Sequence, residues 1–292
     1  MISIITVNYN GINDTRNLLN SLRENIVGVE YELIVVDNAS IEDEAELLQN
    51  EFPWIKAVRS NVNLGFSGGN NLGVKKSKGE SLLFLNNDLI VTFNFLMPLL
   101  NIFSERKDVG VVSPQILNMD GSLCYGGSEK LDRFLLRIHY LNGDQKKRLV
   151  TSQEVSLAHG AALMIKRNLL NDVGGWPEMY FLYLEEVDLS IRIRNLGYSI
   201  WYEPRSVVYH LGYQSTGKGS PLVYYYDTRN KFLLYTRNLE GITRIISISY
   251  QLLVINVMLV LKLMIKGDVA LLKAVCQGTK DFFCGNFYKK KH

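Results

Sequence analysis

The sequence has only three cysteines, Cys124, Cys276 and Cys284, and they cannot all pair with one another. Their spacing matches no zinc-binding pattern, so we expect free thiols in a reducing compartment. The first five residues, MISII, contain no basic residue and begin no long apolar run, which argues against a cleaved signal peptide. Internal repeats and low-complexity segments are also lacking, which argues against a repeat architecture.

Acidic residues are scarce at the end of the chain. Residues 262–292 contain seven lysines and two aspartates, a local charge of +5 within a net charge of +3, so residues 1–261 carry −2. A basic tail suits nucleic acid or anionic lipid, and the apolar run at residues 245–265 that precedes it favours lipid. We therefore expect a membrane surface as a partner, and no nucleic acid.

Strand and helix patterns alternate through the first hundred residues. Buried strands are predicted by four apolar runs, at residues 3–7, 33–36, 55–58 and 82–85. Helices are expected between them, with Asn13 or Asp14 as the first cap and the third helix at residues 69–78. This alternation predicts an α/β fold with a mostly parallel twisted sheet flanked by helices. Residues 101–156 are less regular, and loops and short strands are expected there before a helix at residues 185–196 and a strand at 199–203.

Polar residues follow several of the predicted strands, at Asn8, Asn10, Asp37, Asn38 and Asp88. Ligands of parallel sheets bind beyond the carboxyl ends of the strands, so these side chains are candidates for a binding site. Asp37 can accept the N3–H of uracil or thymine, or hydrogen bonds from a ribose. It is equally suitable as a turn or helix-capping residue, and the pattern alone does not decide between the two.

The segment at residues 63–71, NLGFSGGNN, leads into a predicted helix. Its glycines allow close backbone approach, and the start of a helix offers free N–H groups to a phosphate. The segment is neither a P-loop nor a dinucleotide fingerprint, and a plain loop-to-helix junction is the alternative. No glycine fingerprint follows the first strand either, which argues against a dinucleotide oxidoreductase.

Acidic residues suggest two further sites. Asp88 ends an apolar strand, and one or two carboxylates together with substrate phosphates commonly hold Mg²⁺ or Mn²⁺; His210 would matter only if the fold brings it near Asp88. Glu185, Glu186 and Asp188 crowd three acids into four residues, which raises one pKa and suits a general base. Acidic side chains are also common in the first turn of a helix, where they interact favourably with the helix dipole, and this would explain the same three acids without catalysis. Arg229, in a tyrosine-rich stretch, can hold a pyrophosphate or serve packing.

The order of these motifs resembles glycosyltransferase family 2, and most of all its bacterial rhamnosyltransferase-type branch. The matching segments are residues 3–11, 35–40, 63–71, 83–88, 160–166, 181–192 and 207–210. The resemblance covers about residues 1–235 and implies the GT-A fold, a nucleotide-diphosphate sugar donor, a divalent metal (Mn²⁺ or Mg²⁺) and inversion at the anomeric carbon. A dTDP- or UDP-sugar is the expected donor, with dTDP-rhamnose among the candidates.

The resemblance also implies roles for individual residues. Thr6, Asn8 and Asp37 would line the nucleoside pocket. The rest of the donor pocket would be shaped by Asn63, Gly65, Gly68, Gly69, Asn71, Asn87 and Arg229. Asp88 and His210 would hold the metal, although Asn86 replaces the first acid of the family's DXD motif. Glu186 would be the catalytic base, one methylene longer than the family's aspartate, with Glu185 and Asp188 orienting the acceptor or anchoring the helix.

These expectations divide the chain at residue 240. A GT-A catalytic domain is expected at 1–240, with a donor half at 1–100 and an acceptor half at 101–240, and a membrane-associating segment at 241–292. Such an enzyme would work at the cytoplasmic face of the cell membrane on a glycan or lipid-linked acceptor, in cell-surface polysaccharide synthesis.

Two alternatives stay open. The apolar run at residues 245–265 approaches the length of roughly 20 residues that spans a bilayer, and a core helix packed on the catalytic domain is the alternative. On a helical wheel Asn256 falls opposite Ser247 and Gln251, so the amphipathic pattern is poor. Because Asn86 and Glu186 depart from the family pattern, a non-catalytic sugar- or nucleotide-binding protein on a degenerate GT-A fold is the alternative function.

Overall fold

The computed structural model describes residues 1–132, 134–144, 146, 148–212 and 219–290. The strands are β1 (Ile2–Asn8), β2 (Tyr31–Asp37), β3 (Lys56–Arg59), β4 (Ser81–Leu85), β5 (Leu89–Val91), β6 (Val109–Asn118), β7 (Leu123–Tyr125), β8 (Gln153–Val155), β9 (Ala162–Lys166) and β10 (Ser199–His210). The α-helices are α1 (Ile12–Asn25), α2 (Glu44–Glu51), α3 (Gly65–Lys76), α4 (Leu96–Glu105), α5 (Arg167–Asp172), α6 (Glu185–Asn195), α7 (Pro221–Asn238), α8 (Gly241–Tyr250), α9 (Asn256–Lys266) and α10 (Val269–Phe283). A 3₁₀ helix, Glu178–Tyr180, precedes α6, and a π-helical turn, Gln251–Ile255, joins α8 to α9.

These strands form one sheet in the order β3-β2-β1-β4-β9-β6-β10-β5, with β7 beside β6 and β8 beside β10. Strands β1 to β4, β6 and β10 all point the same way, and β9 runs antiparallel between β4 and β6. The predicted α/β fold with a mostly parallel sheet and flanking helices is confirmed. The parallel register pairs Asn8 with Asp37, so their side chains meet at the carboxyl edge, as the pattern predicts.

Helix α3 packs on β1 and β2, and helix α1 packs on β5. Leu18, Leu19 and Leu22 of α1 are fully buried in the core. Helix α3 lies very close to β1, because a Cβ atom at Gly73 would come within 2.4 Å of the Ile5 side chain. The missing side chain is therefore what permits this approach.

The structure differs from the sequence-based expectation in several elements. Helix α1 has Gly11 at its N-cap, and neither Asn13 nor Asp14 caps it. Helix α3 begins at Gly65, four residues before the predicted start, because glycine and asparagine mask its pattern. The middle region contains the ten-residue strand β6, which is buried along nearly its whole length and therefore shows no alternation. Strand β10 continues to His210 past an irregularity between Glu203 and Val207.

The chain after residue 240 packs back onto α7. A Cβ atom at Gly278 of α10 would come within 2.6 Å of the main-chain oxygen of Tyr225 in α7. Helices α8 and α9, with the π-helical turn, form one continuous helix from Gly241 to Lys266. Lys291, part of the predicted basic tail, lies outside the described residues.

Candidate active site

A cavity of about 450 Å³ opens at the carboxyl edge of the sheet. The predicted site residues that line it are Asn63, Gly65, Asn87, Asp88, Glu185, Glu186 and His210. The structure thus brings together the glycine-rich segment, the predicted metal residues and two of the three acids from four separate parts of the sequence.

Asp88 and His210 meet because β5 and β10 pair antiparallel, with His210 opposite Leu89. The Oδ1 atom of Asp88 lies 3.1 Å from Nε2 of His210, and both atoms are buried without a hydrogen-bond partner. Burial alone would lower the pKa of His210, but the adjacent Asp88 carboxylate and the Cys124 thiol raise it to about 10. The two atoms are therefore close enough to share one bound cation, which would have to displace the imidazole proton because histidine ligates a metal in its neutral form.

This pair fits a divalent ion. Two neighbouring ligands in an octahedral site with bonds of about 2.1 Å are about 3 Å apart, which matches the Asp88–His210 separation. The described residues contain no group of three or more histidine, cysteine, aspartate or glutamate side chains that would hold a metal. Any ion here would need further oxygen ligands from a substrate or from water.

Glu185 and Glu186 begin α6 and face the cavity. Glu185 is almost fully buried, its Oε2 has no hydrogen-bond partner, and burial followed by the charge of Glu186 raises its pKa well above the usual range. Burial also raises the pKa of Glu186, while the Tyr140 hydroxyl donates to its Oε1 over 3.3 Å and favours the charged form. Opposite it lies Gly160, where a Cβ atom would approach the Glu186 side chain to 3.4 Å.

Asp188 has a different environment, although it belongs to the same acidic cluster. It is fully buried behind the cavity and accepts from Arg192 Nε at 2.6 Å and from Arg237 Nε at 2.7 Å. Tyr180 and Asn238 donate to it as well. Burial alone would raise its pKa, but these donors hold the pKa below the usual range. Asp188 thus ties α6 to α7, which agrees with an anchoring role.

The loop that enters α6 is strained. Phe181, Tyr183 and Leu184 have φ angles of 65°, 69° and 72°, which residues other than glycine rarely adopt. The Phe181 carbonyl accepts from the Phe66 N–H over 2.8 Å, and a Cβ atom at Gly65 would come within 2.3 Å of the same oxygen. Gly65 therefore has to be glycine for the loop and the glycine-rich segment to meet.

Side chains of α7 hold this loop. The Asn230 amide donates to the carbonyls of Leu182 at 2.7 Å and Tyr183 at 2.9 Å. Arg229 is fully buried and donates to the carbonyls of Tyr180 and Tyr288, both at 2.7 Å. Arg229 does not line the cavity. Asn230 is not among the residues predicted from the sequence, although an asparagine beside an arginine within an apolar helical stretch is a usable signal.

The predicted nucleoside residues lie at the sheet edge but do not line the cavity. Thr6, Asn8 and Asp37 are fully buried. Asn8 donates to Glu44 over 2.6 Å, and Asp37 pairs with Arg59 over 2.5 Å. Asp37 also accepts from the Ser40 N–H. The cavity is instead lined on this side by the neighbouring residues Tyr9 and Asn38.

The remaining donor-pocket candidates serve packing in this structure. The side chain of Asn71 bonds to both main-chain groups of Trp176, at 2.9 and 3.0 Å. A Cβ atom at Gly68 or Gly69 would approach Leu64 or Val7 to less than 3 Å. A residue missed from the sequence, His159, lines the cavity, and burial lowers its pKa to about 3, which keeps its imidazole neutral.

Comparison with known proteins identifies the family of this chain. The family model for "Glycosyl transferase family 2" matches residues 3–174. The low-salt glycan biosynthesis hexosyltransferase Agl10 of Haloferax volcanii is 30% identical over 237 residues, which are 80% of this chain and 74% of the relative. The N-acetylglucosaminyl-diphospho-decaprenol L-rhamnosyltransferase of Mycobacterium tuberculosis is 26% identical over 209 residues, 64% of this chain and 68% of the relative.

Solved structures show the same fold. A structure of GalNAc-T7 with UDP, GalNAc and Mn²⁺ aligns with a TM-score of 0.63 at 18% identity, covering 76% of this chain and 45% of that protein. Residues 1–349 of S. aureus TarS align with a TM-score of 0.56 at 18% identity, covering 86% of this chain and 70% of that protein. At such low identity the likeness concerns the fold alone.

Proposed function

The chain belongs to glycosyl transferase family 2 and is a glycosyltransferase, and from that premise we propose an inverting enzyme that moves a sugar from a dTDP- or UDP-sugar to a hydroxyl of a glycan or lipid-linked acceptor. One observation carries the proposal. The pair Asp88 and His210 and the pair Glu185 and Glu186 face the same cavity. The first pair suits a metal-bound diphosphate, and the second suits removal of a proton from the acceptor.

Glu186 is the better base of the two glutamates. Glu185 is almost fully buried, its Oε2 has no hydrogen-bond partner, and burial raises its pKa well above the usual range, which favours its neutral form. The Tyr140 hydroxyl orients the Glu186 carboxylate and stabilises its charge. Glu186 takes the proton of the acceptor hydroxyl while that oxygen forms a bond to C1 of the sugar. The bond from C1 to the diphosphate oxygen breaks with its electron pair, and attack from the opposite face inverts C1.

A Mn²⁺ or Mg²⁺ ion held by Asp88 and His210 would neutralise the charge on the departing diphosphate. Two protein ligands leave the remaining positions of the ion to diphosphate oxygens and water. Metal binding should therefore be weak without the donor and should strengthen when a nucleoside diphosphate is present.

The identity of the substrates has separate support. Asp37 ends β2 at the sheet edge, where its carboxylate is buried in bonds to Arg59 and Ser40. It could accept the N3–H of uracil or thymine, a donor that cytosine lacks, once donor binding opens this edge of the cavity. A relative whose name joins L-rhamnose to N-acetylglucosaminyl-diphospho-decaprenol supports dTDP-rhamnose as a candidate donor and a lipid-linked acceptor. Work on such an acceptor would occur at the cytoplasmic face of the membrane, where the apolar and basic segment at residues 241–292 would hold the enzyme.

A donor screen tests the proposal. In the presence of Mn²⁺, UDP and dTDP should raise the melting temperature more than CDP, since a ligand at 100 times its Kd stabilises a protein by about 2.7 kcal/mol. Calorimetry on the three diphosphates then ranks their affinities. Tighter binding of CDP than of both others would refute the assigned role of Asp37. Nucleotide binding with neither hydrolysis nor transfer of any nucleotide-sugar would favour the non-catalytic alternative.

A further inference from the structure

The helix from Gly241 to Lys266 has a polar inner face. Ser247, Gln251 and Asn256 are all buried against the rest of the protein. Gln251 accepts from the Tyr235 hydroxyl of α7 over 3.2 Å and donates to Asn256 over 2.9 Å. Asn256 in turn donates to Thr279 of α10 over 3.0 Å. This hydrogen-bonded chain fastens the middle of the helix to both α7 and α10.

The π-helical turn Gln251–Ile255 is what aligns these polar residues. Such a turn holds one extra residue, and that shifts the following helix by about 100° relative to a regular continuation. On a regular helix Asn256 would point away from Ser247 and Gln251. With the turn, all three share the inner face.

The opposite side is apolar and exposed. This outer face comprises Ile242, Ile245, Leu253, Met258, Leu261 and Ile265, whose exposed fractions range from 54% to 88%. Soluble monomers rarely expose apolar patches larger than a few hundred Å² without a binding function. The helix is thus amphipathic in the reverse of the usual sense, with its polar side toward the protein.

The charged side chains around the outer face indicate what kind of partner it binds. The exposed charged side chains from Gly241 to Lys273 are Arg244, Lys262, Lys266 and Lys273, all basic. Asp268, the one acid in this range, is half-buried and caps α10 by accepting from the Leu271 N–H. An apolar face with a basic rim complements the interface of a membrane that contains anionic lipid.

We propose that the helix from Gly241 to Lys266 lies in the plane of an anionic bilayer, with its outer face in the boundary between headgroups and acyl chains, and does not span it. The inference rests on the proposed membrane association and specifies its geometry. The helix is long and apolar enough to cross a bilayer. Crossing, however, would break the bonds of Gln251 and Asn256 to α7 and α10 and leave these amides in hydrocarbon, which is unfavourable.

Vesicle flotation of the full-length protein tests this geometry. The wild type should bind vesicles that contain phosphatidylglycerol and bind pure phosphatidylcholine vesicles at least about 10-fold more weakly. Leu253→Glu and Leu261→Glu should each lower the partition coefficient by about 10-fold or more, because each leucine would leave the acyl region. Val27→Glu, at an equally exposed valine outside the segment, is the matched control and should bind as the wild type does.

Extraction separates lying on the bilayer from crossing it. Alkaline carbonate should release the vesicle-bound protein, and a carbonate-resistant protein would overturn the in-plane geometry. Light scattering without lipid checks for a second copy of the chain on the outer face. A dimer that Leu253→Glu dissociates would also overturn the proposal.

Hydrolysis of a soluble nucleotide-sugar, measured on the same samples, keeps the two proposals apart. A wild-type protein that hydrolyses the nucleotide-sugar but does not bind vesicles contradicts only the docking. Binding without hydrolysis or transfer contradicts only the proposed function.

Discussion

The floor and the wall of the cavity are built in different ways. The floor, with Asp88 and His210, is placed by strand pairing, since the register of β5 and β10 puts the two residues side by side. The wall, with Glu185 and Glu186, follows a strained loop that hydrogen bonds from α7 hold in place. One of those bonds comes from Asn230, 48 residues after its partner Leu182. Main-chain pairing of two strands therefore sets the floor, whereas the wall depends on side chains of a helix that follows it in the sequence.

The electrostatics of the floor and of the wall also differ. On the floor a carboxylate faces an imidazole across 3.1 Å, and the carboxylate favours the charged form of the imidazole. On the wall, burial raises the pKa of both glutamates, and their mutual repulsion raises that of Glu185 further. The floor suits a cation or a charged substrate group, and the wall suits proton transfer.

The largest expected effect is on the wall. Glu186→Gln keeps the size of the side chain but removes the proposed base, so turnover should fall by about 10²- to 10⁴-fold. Donor affinity, measured by calorimetry, should barely change. Glu186→Asp should keep more activity than Gln, because it retains a carboxylate. Near-normal turnover of Glu186→Gln beside an inactive Glu185→Gln enzyme would transfer the base to Glu185.

The next effect is on the floor. Asp88→Asn removes the charged half of the proposed metal pair, and metal-stimulated activity should fall by at least about 10- to 100-fold. Unlike the wall variant, it should also weaken binding of the nucleoside diphosphate with Mn²⁺, while binding in excess chelator stays as in the wild type. Full wild-type activity in excess chelator would contradict the metal role of this pair.

A smaller effect tests whether the wall depends on α7. Asn230→Ala leaves the carbonyls of Leu182 and Tyr183 without their donor, so the loop should relax away from its positive φ angles. A displacement of about 1 Å can cost up to about 100-fold in rate, so we expect kcat to fall by about 10- to 100-fold. Donor affinity should change much less.

Asn101→Ala, at an exposed asparagine of α4, is the matched control for that experiment. It should keep the wild-type kcat and melting temperature. An Asn230→Ala enzyme that keeps its kcat would show that the wall is held without α7.

This difference between floor and wall explains what the sequence can predict. Apolar runs locate β1, β2 and β4, and the polar residues after them lie at the sheet edge as expected, because parallel strands share their carboxyl edge. Asp88 and Glu186 also line the cavity, although no local pattern joins them. The resemblance to a whole family, rather than any single motif, is what predicts that Asp88 and Glu186 belong to one site.

The features that the sequence does not predict all depend on distant partners or on an irregular helix. The guanidinium of Arg229 could bind a diphosphate, yet its N–H groups donate to the main-chain carbonyls of Tyr180 and Tyr288. A helical wheel drawn at 3.6 residues per turn does not place Ser247 and Asn256 on one face. The π-helical turn between them rotates the following residues around the helix axis, and the wheel does not include that turn. Strand β6 is buried on both faces and lacks the alternation that marks a half-buried strand.

The smallest expected effect concerns stability rather than catalysis. Asp188 anchors the wall by accepting from Arg192 and Arg237, which are themselves partly exposed to water. Asp188→Asn should therefore destabilise the protein by about 1.5–3 kcal/mol at pH 7, the range for hydrogen bonds to charged groups. The folded-state pKa of Asp188 is below its usual value. Its stabilisation is thus present above the unfolded pKa of about 3.9 and is lost as the pH falls through the folded value.

Thermal or urea unfolding of both proteins from pH 7 to pH 3 measures this effect. The difference in unfolding free energy should be constant near neutrality and should shrink below about pH 4, where Asp188 of the unfolded chain begins to bind a proton while the folded-state carboxylate stays charged. Glu154→Gln, which breaks the exposed pair between Glu154 and Arg194, is the control and should cost at most about 1 kcal/mol. A difference for Asp188→Asn that stays the same at pH 3 would mean that the carboxylate charge does not anchor α6 to α7. In that case the wall would be held by the Asn230 hydrogen bonds and by packing.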